Sequence, residues 1–204
     1  MAFSALSERL LGDEMAVNLM MVGFAYQNGM LPLDGAAIDT AIEANGVSVA
    51  MNRRAFHIGR LLAIDPQSAA IQNDYGYMLV DRGIRLDEAV AMLKKAVAYD
   101  PQNGAYLDSL AWGYYKLGQY TLAEDYGQKA VVRTGNDPTV LDHLAEIYAK
   151  TGKLQQAVVE WQKSLAQYAT SLAPEADPAD VEKVQHKLEG ARVKLAHAGV
   201  GPGK

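Results

Sequence analysis

The 204-residue sequence contains no cysteine. That absence excludes disulfides, thiolate zinc sites, thiol nucleophiles and cysteine-ligated iron–sulfur clusters. Long apolar runs are missing as well. The longest, Met15 to Tyr26 (MAVNLMMVGFAY), covers about a dozen residues and includes Asn18, whereas a membrane-spanning helix needs ~20. It reads as a buried helix. Positive charge is scarce: 19 Lys and Arg face 24 Asp and Glu, for a net charge of −5. A phosphate-backbone binder relies on clustered Lys and Arg, so nucleic acid is not an expected partner. No secretory leader is visible, because Glu8, Asp13 and Glu14 precede the apolar stretch where a basic start is required and no small-residue cleavage site follows it. This reading places the chain in the cytoplasm. With 50% hydrophobic and 21% charged residues and a mean hydropathy of −0.10, the composition is that of a folded, soluble chain of one or two domains.

Chemistry-bearing motifs are equally sparse. His57, His143, His186 and His197 have no second His three or four residues away and form no HExxH, so no helical metal site is signalled. His143 stands beside Asp142 and is the one histidine with an acidic neighbour of interest. No serine lies in a GxSxG elbow and no GxGxxG follows a strand. Asp13-Glu14 and Glu124-Asp125 are sequence neighbours on helical patterns, where adjacent side chains diverge by about 100°, so they read as solvated faces rather than acid–base dyads. The terminal GVGPGK lacks the Ser or Thr and the strand context of a phosphate loop. The expectation is a protein without catalytic residues, cofactor or metal.

What the sequence does contain is a period. Ala89, Ala123 and Ala157 stand at intervals of thirty-four residues, as do Lys95, Lys129 and Lys163, and Val97, Val131 and Leu165. Around each alanine the surroundings recur as LDEAVAMLKKAV (86–97), YTLAEDYGQKAV (120–131) and LQQAVVEWQKSL (154–165). Upstream, Leu107-x2-Leu110-Ala111-x2-Tyr114 returns as Leu141-x2-Leu144-Ala145-x2-Tyr148, a spacing of threes and fours that marks one face of a helix. The earliest copy, Asn73 to Val80, is looser and carries one extra residue near Gly83 to Arg85. Gly83, Gly118 and Gly152 fall between two helical patterns, where a residue able to take positive φ ends the first helix. Each unit is therefore helix, turn, helix, and the small alanine marks where the two helices cross closely. This pattern resembles the tetratricopeptide (TPR) repeat, three copies over about 67–169. The resemblance implies an all-α TPR solenoid, a right-handed superhelix with a concave face. The proline that closes a unit is present as Pro101, but Gly135 replaces it one repeat later, with Asp137-Pro138 following.

Both ends of such a stack need covering. At the C-terminal end, Asp177-Pro178 reads as a helix start, and Val181, Val184, Leu188, Ala191 and Leu195 then form one apolar stripe with Lys183, Lys187 and Lys194 outside it. This is expected to be a capping helix. The alternative is a coiled-coil seam to a second chain. At the other end, Gly29 and Pro32 stop the Met-rich helix, Asp34 caps a short helix ending at Asn45-Gly46, and a third helix runs from about Val47 to Ile64. The run LLGDEMAVNLMMVGFAYQNGMLPLDGAAIDTAIEANGVSVAMNRRAFHIGRL (10–61) is similar to the C-terminal part of the gamma-type domain of indolepyruvate and related 2-oxoacid ferredoxin oxidoreductases. Those enzymes use thiamine diphosphate and iron–sulfur clusters, for which this chain has no ligands, so the resemblance implies a borrowed structural piece. Leu62 to Gln67 (LAIDPQ) also parallels Val97 to Gln102 (VAYDPQ), so one helix can serve both parts. The domain expectation is a helical segment over 1–66, three TPR repeats over 67–171, and a capping helix with tail over 172–204.

TPR concave surfaces are lined by first-helix residues. Carried over by position, these are Asn73, Tyr77 and Asp81; Asp108, Trp112, Tyr115 and Lys116; and Asp142, Glu146, Ala149 and Lys150. Aromatics standing among acids offer large contact area with few torsions to freeze, the composition of a binding hot spot. The competing reading is that Trp112 and Tyr115 pack against the neighbouring helix. Clamp-type TPR members, which hold the C-terminal carboxylate of heat-shock chaperones, have Lys and Asn where Asp108 and Trp112 stand here, so that use is not implied. The expected function is a non-catalytic scaffold binding a peptide or helix of a partner protein that combines bulky apolar residues with Lys or Arg. The alternatives are an accessory piece docking to a 2-oxoacid ferredoxin oxidoreductase, and a TPR module that self-assembles into a homo-oligomer.

Overall fold

Glycines and short polar caps divide the chain into ten helices among the residues described by the computed structural model, which are 14–47, 49–65, 68–135, 137–170 and 178–199. No strand occurs among them. The helices fall into two compact units, residues 1–99 and residues 100–204. The expected boundary at 66/67 lies inside the first unit. The acidic residues before Glu14, the N-cap Asp177 and the tail from Val200 onward lie outside the described residues.

The first unit holds α1 (Glu14–Gln27), α2 (Gly35–Asn45), α3 (Val49–Ile64), α4 (Ala69–Asp81) and α5 (Leu86–Tyr99). As expected, the first helix stops just before Gly29, and Asp34 caps α2 by accepting from the Ala36 N–H at 3.2 Å. Gly46 ends α2 in the left-handed region at φ 66°. α1 and α3 touch through backbone. A Cβ on Gly23 would sit 2.0 Å from the Phe56 carbonyl oxygen, and one on Gly59 the same distance from that of Met20. Only glycine allows this approach. α4 starts at Ser68, whose hydroxyl accepts from the Ile71 N–H at 3.3 Å, and pairs with α5 across Gly76, Ala89 and Leu93. The extra residue of the looser repeat is accommodated at Arg85, which has φ 50° and donates to the Tyr75 hydroxyl at 3.0 Å and to Glu88.

The second unit consists of α6 (Gly104–Lys116), α7 (Tyr120–Thr134), α8 (Pro138–Lys150), α9 (Leu154–Thr170) and α10 (Pro178–Gly199). Asn103 caps α6, and Asp137 caps α8 by accepting from the Thr139 and Val140 N–H groups at 2.9 and 3.2 Å. Gly135 takes a left-handed conformation at φ 65°, so it ends α7 where a proline was anticipated from the repeat. α6 pairs with α7, α8 with α9, and α7 with α8. Val184, Leu188 and Ala191 of α10 join Leu144, Ala145, Tyr148, Ala157 and Trp161 in one buried cluster. The expected stripe is thus the packed face of α10. Lys187 departs from expectation: it turns inward rather than standing outside.

Ala55, Ala89, Ala123 and Ala157 are all fully buried. The alanine spacing therefore extends one period upstream into α3, the helix whose end, LAIDPQ, parallels the end of α5 in sequence. In this copy α1 and α3 make the close pair, with α2 inserted between them in sequence.

No helix among the described residues is long and apolar enough to cross a membrane.

Candidate functional site

Three of the expected groove residues belong to the first unit. Asn73 is buried and donates to Asp74 at 3.1 Å, while its own side-chain oxygen is buried without a hydrogen-bond partner. Tyr77 is half-buried with the Arg54 guanidinium 4.3 Å from its ring centroid, and Asp81 is exposed.

The others cluster in the second unit, at two depths. The inner layer is a stack. Trp112 stacks on both Tyr115 and His143, with ring centroids 4.7 and 4.3 Å away and planes within 9° and 14° of parallel. His143 Nδ1 stands 2.9 Å from an Asp108 carboxylate oxygen. Trp112, His143 and Asp108 are each 7% exposed. This corrects the expectation that Asp108 and Trp112 face a ligand: α6 turns them into the interior, where they pack rather than present. Lys116 covers the stack with its ammonium 5.0 Å from the Trp112 ring. Burial alone disfavours a charged His143, but the Asp108 carboxylate, helped by Asp142 and Glu146, raises its pKa above the ordinary histidine value.

The outer layer is an ion network. Trp161 Nε1 of α9 donates to Asp142 at 2.8 Å. Lys187 of α10 bridges Asp142 at 2.8 Å and Glu146 at 2.5 Å. Tyr115 donates its hydroxyl to Glu146 at 3.3 Å. Burial, with the Glu146 carboxylate alongside, pushes the Tyr115 phenol up to about 12. Burial opposes the charge on Lys187 too, but the two carboxylates win and raise its pKa. The three acids expected in the groove, Asp108, Asp142 and Glu146, are therefore each paired within the second unit, with His143 or with Lys187.

Above this network lies a cleft of about 380 Å³ between α8 and α10. Tyr115, Glu146, Ala149 and Lys150 line one side, Leu154 and Trp161 belong to α9, and His186, Lys187, Gly190, Ala191 and Lys194 of α10 form the other side. So the structure brings Tyr115, Glu146 and Lys150 together at an open surface. Sequence reasoning gives α10 as a cap or as a coiled-coil seam to a second chain, and neither reading makes it the wall of a cleft. Lys187 immediately precedes Leu188 of the apolar stripe, at the border of the buried face, and that position was the available signal. Among the described residues no three His, Asp or Glu side chains converge as a metal site.

No known family profile matches the chain. A TPR repeat-containing protein of Pseudomonas aeruginosa is 37% identical over 86 residues, covering 42% of this chain and 14% of the relative. The chain thus matches a small part of that protein's length. Among solved structures, the first TPR domain of Spaghetti (RPAP3) bound to the HSP90 peptide SRMEEVD superposes with a TM-score of 0.53 at 20% identity, over 65% of this chain and 96% of that one. A thermophilic TPR protein of Thermus thermophilus gives a TM-score of 0.53 at 18% identity over 94% and 87% of the two chains. These likenesses show the fold, an all-α TPR solenoid. The oxidoreductase resemblance of residues 10–61 finds no support.

Proposed function

We propose that the chain is a non-catalytic interaction scaffold, and that a peptide or helix of a partner protein seats in the α8–α10 cleft of the second unit. The cleft itself carries this reading. It is concave, it combines the apolar Ala149, Leu154 and Ala191 with polar Tyr115 and three lysines, and a Cβ on Gly190 at its edge would meet nothing within 4 Å. Apolar floor with polar rim is the usual anatomy of a recognition surface. The peptide-bound TPR neighbour supports a peptide as the kind of occupant. Tyr115, Glu146 and Lys150 touch the partner in this reading, while Asp108, Trp112 and His143 stiffen the wall behind them. The buried His143–Asp108 pair is the nearest thing to an acid–base couple, but it is stacked beneath Trp112 and forms a packing device.

Gly190→Trp tests the location. A Cβ at this position meets nothing within 4 Å, so the substitution starts from open space at the cleft edge, and replacing a mid-helix glycine favours α10. A random octapeptide display library panned on the full chain should yield peptides that bind the wild type and lose at least tenfold in affinity for the variant. Peptides that bind both equally, or none at all, would contradict the assignment.

A further inference from the structure

The charges lining this cleft have the opposite sign to the one suggested by the acids of α6 and α8. Asp142 and Glu146 are already occupied. Asp142 accepts from Trp161 and from Lys187, and both Glu146 oxygens are engaged, one by Tyr115 and the other by Lys187. A basic ligand would first have to displace Lys187, an intramolecular partner that binds without the entropy loss of association. Lys150 and Lys194, by contrast, are exposed on opposite walls and make no ion pair among the described residues. Glu146 is the one carboxylate among the lining residues, against Lys150, Lys187 and Lys194. His186 adds a further positive charge when protonated, although Glu182 stands 3.6 Å from it.

We infer that the partner segment is acidic: a peptide presenting two or more carboxylates to Lys150 and Lys194, with one apolar side chain directed at the floor formed by Ala149, Leu154 and Ala191. This rests on the proposed cleft and specifies its ligand class. Complementary charge at an accessible rim sets orientation and association rate, and it weakens as salt screens it. Two ammonium groups on facing helices pin a segment lying along the cleft, and the open space at Gly190 leaves room for its backbone.

The test uses the peptides selected on the full chain that are lost on Gly190→Trp. Their composition should be enriched in Asp and Glu, with an aliphatic or aromatic residue among them. Their affinity should fall at least tenfold for the double variant Lys150→Ala/Lys194→Ala, and severalfold on raising salt from 50 to about 300 mM. Both lysines are exposed, so the double variant should keep the wild-type circular dichroism spectrum. Gly190-dependent peptides that are neutral or basic, or that bind the double variant as well as the wild type, would overturn the acidic assignment and leave the cleft intact as the binding site. Failure to select any Gly190-dependent peptide would overturn both.

Discussion

Trp112→Ala separates packing from recognition at the point where sequence and structure disagree. The indole is 7% exposed and stacked on two rings, so its removal takes away most of a buried aromatic. Truncating such a side chain costs about 3–5 kcal/mol, the transfer free energy plus the cavity left behind. One contribution runs the other way: the Trp112 Nε1 is buried with no hydrogen-bond partner, and losing an unsatisfied donor returns about 1–3 kcal/mol. The difference spans about 0–4 kcal/mol and centres on a loss of about 2 kcal/mol, or roughly 4–8 °C in Tm for a chain of this size. Trp112→Phe keeps most of the stack and removes the orphan N–H, so it should stay within about 1 kcal/mol of wild type. Urea unfolding followed by far-ultraviolet circular dichroism measures both. If Trp112→Ala unfolds at the wild-type urea midpoint while cleft peptides bind tenfold more weakly, Trp112 is a contact residue and the burial argument fails.

Four further outcomes are expected. His143 has a raised folded pKa, so the folded state binds more protons than the unfolded one; stability should be highest below about pH 6.5 and decline as pH rises through the folded value, and His143→Gln should flatten that part of the Tm–pH curve. A curve that rises with pH there, or is unchanged in the variant, contradicts the sign. Gly59→Ala drives a methyl into the Met20 carbonyl and should destabilise the first unit by at least 1–3 kcal/mol, roughly the cost of core overpacking, whereas Gly190→Ala should be neutral or stabilising in the same urea assay. Lys187→Met leaves Asp142 and Glu146 without their shared cation and should cost about 1–3 kcal/mol in the same urea assay. Asp137→Ala removes the α8 cap and should cost about 1 kcal/mol.

The helix boundaries were legible because their signals are local. Asp34 acts as a side-chain cap, Gly29, Gly83, Gly118 and Gly152 all take positive φ, and the period of Ala89, Ala123 and Ala157 places each helix crossing. The upstream copy is legible only at its second helix, through the parallel of LAIDPQ with VAYDPQ; its first helix, α1, falls outside the thirty-four-residue spacing because α2 is inserted between the two. The site was harder to read for a different reason. Helical position says which residues share a face, but not whether another helix covers that face. Asp142 and Glu146 look like free acids until Lys187, some forty residues downstream, is found between them. His143 and Asp108 are one repeat apart and meet only because successive first helices lie side by side.

Amide hydrogen exchange on the full chain, with and without a Gly190-dependent acidic peptide, tests the central claim most directly. The account predicts slowed exchange at the C-terminal end of α8 through the start of α9, about 146–156, and along 186–195 of α10, with the first unit unchanged. Protection confined to the first unit, or absent from α10, would show that the partner does not occupy the cleft.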